Sequence, residues 1–127
     1  MDAAGGGLVF GGLSGRVIGA FFDTYNELGH GFLESVYEAA LAVRLEECGL
    51  EVRRQVPIAV RFHGQVVGHF RADMLVNDHL LIEIKAALQI APPHEAQLLN
   101  YLKATGIRLG LLLNFGPRPE FRRRVFS

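Results

Sequence analysis

The feature that most constrains this chain is a pair of apolar segments, residues 70–76 and 80–86, that carry charged side chains within them. Asn77 and Asp78 separate the segments, and these residue types favour a tight turn because they tolerate left-handed backbone conformations. Two apolar segments joined by such a turn are typical of adjacent antiparallel strands. The chain is therefore expected to build a sheet around this pair.

Pairing through that turn would place Asp73 near Glu83. Side chains two positions apart on a strand share a face, so Glu83 and Lys85 would point the same way. Their sequence neighbours are apolar, and ionisable groups in such surroundings are costly unless something neutralises them. Mg²⁺ would do so, because it binds carboxylate oxygens, keeps waters and accepts phosphate as a ligand. A lysine beside it could orient or deprotonate a water and offset charge on a phosphate.

A simpler interpretation is a salt-bridged sheet. A Glu-x-Lys pair on a strand is common, and at a surface it contributes little. Under this interpretation the chain is an interaction protein without a nucleic-acid function, and Asp73 and Glu83 lie far apart.

The rest of the chain predicts helices and further strands. Ser14 is the expected N-cap of a first helix that stops at Gly29. A second helix is expected over about residues 33–48, and a third over residues 94–105, after a Pro-Pro pair and before Gly106. Strand patterns occur at residues 51–56, 58–62, 65–67, 70–76, 80–86 and 109–114, with a short edge strand expected at 124–126.

This pattern indicates an α/β (mixed α+β) fold with the element order ααββββαβ. A central mixed sheet of four to five strands would be flanked by helices. The 127 residues allow one domain, expected over residues 14–127, with residues 1–13 as a flexible Gly-rich lead-in.

Composition narrows the function classes only slightly. The 13 basic and 13 acidic residues balance, so no strongly basic total argues for nucleic acid. The single cysteine, Cys48, excludes an internal disulfide and indicates a reducing cytoplasm. The apolar runs are too short to span a membrane.

Polar residues on two helices could complete a site. Gln97 and Tyr101 lie four apart and share a face, with His94 one turn earlier. They could support a site, or they could be a solvated glutamine and a half-buried tyrosine. Glu34 lies in a first helical turn, where the helix dipole favours a carboxylate. It could instead be a further metal or water ligand, with Glu38 a weaker candidate.

These motifs resemble a known family. Gly31, Glu34 and Tyr37 fit the Gly-x-x-Glu-x-x-Tyr signature of the GxxExxY proteins, which are placed in the PD-(D/E)XK nuclease superfamily. Residues 70–73, 83–85 and 94–102 resemble the same family. The Gln-x-x-x-Tyr spacing at Gln97 and Tyr101 also resembles the RecB-like branch of nucleases.

The resemblance implies a restriction-endonuclease-like core and a nuclease that uses Mg²⁺ or Mn²⁺. By that similarity Asp73 and Glu83 bind metal, Lys85 is catalytic, and Glu34 supplies an acidic group from a helix, as a further metal ligand. Gln97 and Tyr101 support the site or contact the nucleic-acid backbone. DNA is expected as substrate rather than RNA, and a homodimer would give the small core a wider groove.

A second function stays open, because the superfamily also includes members that bind without cutting. The chain would then be a nucleic-acid-binding or regulatory module with the same fold. The basic residues near the C-terminus could grip phosphates or could simply be solvated. These residues are Arg118, Arg122, Arg123 and Arg124.

Overall fold

The structure is a computed structural model that describes the backbone of residues 5–127 and the side chains of residues 12–127. Two helices come first, followed by three strands, a helix and two strands. The elements are α1 Gly5–Leu28, α2 Glu34–Glu47, β1 Val52–Phe62, β2 Gln65–Val76, β3 Leu80–Lys85, α3 Pro92–Thr105, β4 Leu109–Phe115 and β5 Pro119–Val125.

The strands form one five-stranded sheet in the order β1-β2-β3-β4-β5. Neighbouring strands are antiparallel except β3 and β4, which are parallel and are connected through α3. The expected mixed α/β architecture is confirmed.

The element order differs from the expected ααββββαβ, because one strand fewer precedes α3 and one more follows it. β1 continues through Pro57, which was expected to interrupt it. Proline is tolerated there because β1 is an edge strand with one hydrogen-bonded neighbour. β2 joins the two segments that were expected at 65–67 and 70–76.

Helices cover both faces of the sheet. On one face α1 and α2 bury residues such as Phe21, Tyr37 and Leu41 against Ile82 and other strand residues. On the other face α3 packs with Leu98, Tyr101 and Leu102 against strand residues that include Leu81 and Leu112. The approach of α3 to β4 is close: a Cβ on Gly110 would lie 2.9 Å from Leu98 Cδ1.

The first helix begins before its expected N-cap. Ser14 is buried inside α1, which starts at Gly5, so the prediction of a cap there is wrong. A serine tolerated inside a helix is easily mistaken for a cap, because the same residue type favours both turns and helix starts. Residues 1–4 lie outside the described residues, and the flexibility expected for residues 1–13 stays a prediction.

Arg122, Arg123 and Arg124 belong to a strand rather than to a tail, whereas Arg118 lies in the turn before it. β5 pairs with β4 along its whole length. Arg122 and Arg124 both form ion pairs with Glu95 on α3.

Within the described part of the chain, no helix combines the length and apolar character needed to cross a membrane.

Candidate active site

The expected pair of charged strands is present, and the site lies where the two strands separate. β2 and β3 pair from Val76↔Leu80 to Met74↔Ile82. One position further along, the regular pairing stops at Asp73. Side chains replace the missing backbone bonds: the Asp73 N–H donates to Glu83 Oε2 (2.9 Å), and the Ile84 N–H donates to Asp73 Oδ2 (2.7 Å). The two carboxylates are therefore side by side.

The side chains of the β1–β2 hairpin also exchange faces of the sheet at the level of Asp73. Met74 packs with the α1–α2 side, whereas Ala72 packs with the α3 side. Even-numbered residues of a regular strand would share a face, so the strand turns over around Asp73. On β1 the change occurs at Gln55, whose φ is 52°. This twist carries the far half of the hairpin over α3.

Burial dominates the electrostatics of the two carboxylates, and the nearby charge of Lys85 opposes it only in part. Glu83 is 3 % exposed and Asp73 is half-buried. Burial raises the pKa of Glu83 to about 8, and the neighbouring Asp73 carboxylate adds to the rise. Burial also raises the pKa of Asp73, although the Ile84 N–H opposes the shift. No lysine, arginine or histidine of the described residues comes within salt-bridge distance of either carboxylate.

That result contradicts the salt-bridge interpretation, which took Asp73 and Glu83 for ordinary ion-pair partners that lie far apart. The Glu83 side chain contacts the Asp73 backbone, and among the described residues neither carboxylate has a cation within salt-bridge distance.

Lys85 lies at the end of β3 and is held by α3. Its Nζ donates to Gln97 Oε1 (3.2 Å), and Gln97 Nε2 donates to the Tyr101 hydroxyl (3.2 Å). Burial, followed by the charges of Glu83 and Asp73, raises the pKa of Tyr101. The structure thus brings Gln97 and Tyr101 to the lysine, whereas His94 caps its own helix by accepting the Ala91 N–H.

Glu34 approaches the same strand end from α2, on the opposite face of the sheet. Its Oε2 accepts the Ala86 N–H (3.3 Å). In the described residues no three His, Cys, Asp or Glu side chains converge closely enough to hold one metal ion. Asp73 and Glu83 are thus adjacent, and Glu34 does not join them as a third ligand in this structure.

The loop before α2 explains the spacing of Gly31, Glu34 and Tyr37. Gly31 has φ 120°, a conformation that favours glycine. Tyr37 is fully buried, donates from its hydroxyl to the Gly29 carbonyl, and accepts the Phe32 N–H (3.2 Å). These bonds fix the loop that leads into Glu34, so the spacing serves to position that carboxylate.

Glu38 is tied to β1 rather than open to a ligand. It is buried and accepts from Arg54 Nε (2.9 Å) and Gln55 Nε2 (2.8 Å). Gln55 was missed by the sequence analysis, because nothing in its pattern signals a left-handed glutamine. Its contact with Glu38 fastens α2 to the point where the hairpin changes face.

Asn114 was also missed, although a signal was present. It is a fully buried amide at the end of an apolar strand, and buried polar groups need partners. Asn114 Oδ1 accepts the Ala87 N–H (2.9 Å) and Nδ2 donates to the Ala87 carbonyl (3.0 Å). This pair of hydrogen bonds holds the segment that follows Lys85.

The donor set fits a divalent cation. Asp73 and Glu83 offer adjacent oxygens of the kind that Mg²⁺ and Mn²⁺ prefer. Burial keeps the pKa values of the two neighbouring carboxylates raised despite the charge of Lys85, so both would gain from a further positive charge between them.

Comparison with known proteins agrees with this geometry. Residues 12–124 match the family model of the PD-(D/E)XK nuclease superfamily. No curated protein matches the chain.

Two solved structures are similar in fold. The crystal structure of SSO0001 has a TM-score of 0.54 and 19 % identity, covering 72 % of this chain and 50 % of that one. An alkaline exonuclease from Laribacter hongkongensis has a TM-score of 0.51 and 20 % identity, covering 68 % of this chain and 52 % of that one. The chain spans about half the length of these proteins.

Proposed function

Because the chain belongs to the PD-(D/E)XK nuclease superfamily, we propose that it hydrolyses phosphodiester bonds of nucleic acid, with Mg²⁺ or Mn²⁺ held by Asp73 and Glu83. One observation carries the proposal: the paired strands separate at two adjacent carboxylates, and Lys85, two residues beyond Glu83 on the same strand, places a positive charge near both of them. The alkaline exonuclease of similar fold supports the same class of reaction.

The site residues would have different roles in the reaction. A bound divalent cation would supply positive charge to the phosphate and lower the pKa of a water. Lys85 lies on the same strand face as Glu83, and Gln97 fixes its ammonium. From there it would orient the attacking water and stabilise charge on the phosphate. In the proposed hydrolysis the water loses one proton as its oxygen bonds to phosphorus, the bond from phosphorus to one sugar oxygen breaks, and that sugar oxygen takes up a proton.

The test is cleavage of labelled single-stranded, duplex and branched DNA, and of RNA, with Mg²⁺ or Mn²⁺ and with EDTA. We expect metal-dependent cleavage and a loss of at least 100-fold in the Lys85→Ala variant, the usual scale for an acid–base or electrostatic group. Arg53→Gln is the matched control, because it removes a cation that pairs with Asp78 on the surface. Equal rates for wild type and Lys85→Ala would refute the catalytic assignment.

A non-cleaving nucleic-acid-binding module is the second candidate. It is favoured by the lack, among the described residues, of a third carboxylate or imidazole beside Asp73 and Glu83. Calorimetric titration with Mn²⁺ separates the two functions, since a nuclease must bind the ion at this site.

Finer assignments are part of the proposal. The positions of Gly31, Glu34 and Tyr37 around the α2 loop support membership of the GxxExxY group. The contact between Gln97 and Tyr101 supports the RecB-like branch. DNA as the preferred substrate, a homodimer and a cytoplasmic location also remain proposals.

A further inference from the structure

A groove of about 710 Å³ lies beside the proposed active site, between α3 and the far half of the β1–β2 hairpin. One face of α3 forms its wall over roughly 16 Å, at a rise of about 1.5 Å per residue. The strands form the other wall. The lining residues are Ala59, Val60, Arg61, Phe70, Pro93, Ala96, Gln97, Asn100, Tyr101, Lys103 and Ala104.

The groove is continuous with the active site. Gln97 lines the groove and also accepts from Lys85 Nζ. Tyr101 lines it too, and its hydroxyl accepts from Gln97. A chain that followed the groove would therefore reach the lysine and the paired carboxylates.

Phe70 gives the groove an exposed aromatic surface. It is 48 % exposed, and its ring lies 5.7 Å from that of Tyr101 at an angle of 43°. Gly68 leaves room for it, because a Cβ there would come within 3.3 Å of Phe70 Cε2. An aromatic ring that stays half-exposed in a concave site can stack against a nucleic-acid base.

The charge of the groove is positive although that of the chain is zero. Arg61 and Lys103 line it, and no lining residue is acidic. Neither cation forms a salt bridge with any described residue. Asn100 adds an exposed amide beside them.

We infer that this groove binds a single-stranded segment of nucleic acid, with a base stacked on Phe70 and phosphates beside Arg61 and Lys103. Stacking requires an open base face, which single strands provide and which paired, stacked bases inside a duplex do not. The inference rests on the proposed nuclease function and names its substrate class.

Binding without cleavage tests the groove directly. A fluorescein-labelled oligothymidylate of about ten nucleotides would be titrated with the full chain in EDTA, with anisotropy as the readout. Phe70→Ala is expected to weaken binding roughly tenfold or more, the scale found for loss of one stacked base. Arg61→Gln and Lys103→Gln should each weaken binding and reduce the salt dependence by about 0.7 in log–log slope.

Matched controls lie on the same hairpin. Phe62 is 62 % exposed and lies outside the groove lining, so Phe62→Ala should bind like wild type. Arg53→Gln removes a cation from the same strand as Arg61, also outside the lining, and should have no effect. An unlabelled duplex of matching sequence should compete at least tenfold less well than the single strand. Thermal midpoints confirm that each variant is folded.

Two outcomes would overturn the inference: wild-type binding by Phe70→Ala, Arg61→Gln and Lys103→Gln, or equal competition by the duplex. Either result leaves metal-dependent cleavage, which is measured separately, unaffected. Conversely, oligonucleotide binding that depends on Phe70, without cleavage in Mn²⁺, would support the groove and reject the nuclease.

Discussion

Glu83 shows how one side chain can join stability to function. It is buried at the end of a sheet whose backbone pairing has just stopped, and its carboxylate accepts the Asp73 N–H. The bond stabilises the strand end, but the charge is costly without a cation. A cation bound at this carboxylate would offset that cost.

The pH dependence of stability follows from the raised pKa of Glu83. Its folded-state pKa of about 8 exceeds the ordinary value of 4.5, so the folded protein keeps a proton that the unfolded chain releases between these values. Stability should therefore fall as pH rises through that window. Glu83→Gln stays neutral and can still accept the Asp73 N–H. In EDTA it should be more stable than wild type by roughly 2–4 kcal/mol at about pH 9, with little difference at about pH 4.

Urea unfolding followed by circular dichroism at both pH values measures the difference. Exposed Glu46 gives the control, since Glu46→Gln should change stability by under about 0.5 kcal/mol at either pH. A Glu83→Gln variant that is equally destabilised at both pH values would contradict the interpretation.

At the scale of single residues, the sequence predicts much of the site. The turn at Asn77 and Asp78, where both residues have positive φ, and the two-residue period of strands are enough to bring Asp73, Glu83 and Lys85 together. The sequence does not indicate that strand pairing stops at Asp73. That break depends on how Gln55 and the hairpin twist over α3, a tertiary effect without a local signal.

At the scale of elements, the helices were easier to predict than the strands. Gly29, Gly49 and Gly106 end their helices with positive φ, as their positions after apolar stripes predict. β5 was expected only at 124–126. Three consecutive arginines interrupt the alternation of apolar and polar residues by which a strand is recognised. Arg122 and Arg124 of β5 share one ion-pair partner, Glu95 of α3, which is distant in sequence.

Asn114 connects β4 to the segment after Lys85, so its loss should affect both stability and activity. Asn114→Ala would leave the Ala87 N–H and carbonyl without their partner, at a cost of roughly 2–3 kcal/mol. We also expect slower cleavage, since the end of β3 would be less firmly held. Urea unfolding and the cleavage assay measure the two effects.

Exposed Asn26 on α1 is the matched control for that change. Asn26→Ala should shift stability by under about 0.5 kcal/mol and leave cleavage unchanged. If Asn114→Ala were as stable as Asn26→Ala, the double hydrogen bond would not matter in solution.

For the whole molecule, the active site is a junction of both layers. Glu34 of α2 contacts Ala86 from one face of the sheet, and Gln97 of α3 contacts Lys85 from the other. Each helix contacts the site only when its own layer is packed on the sheet, so the complete site requires both layers. Anything that stabilises this junction should therefore stabilise the entire fold.

A cation bound by Asp73 and Glu83 should do so, because it binds the folded chain and not the unfolded one. At a free Mn²⁺ concentration of about 100 times its dissociation constant, the gain is about 2.7 kcal/mol. That gain corresponds to a rise in the thermal midpoint of roughly 10 °C for a chain of this size. Asp73→Asn should lose most of the rise, whereas Asp78→Asn, a change at an exposed residue paired with Arg53, should keep it. Equal shifts in the two variants would place the bound ion elsewhere and would refute the assignment of Asp73 as a metal ligand.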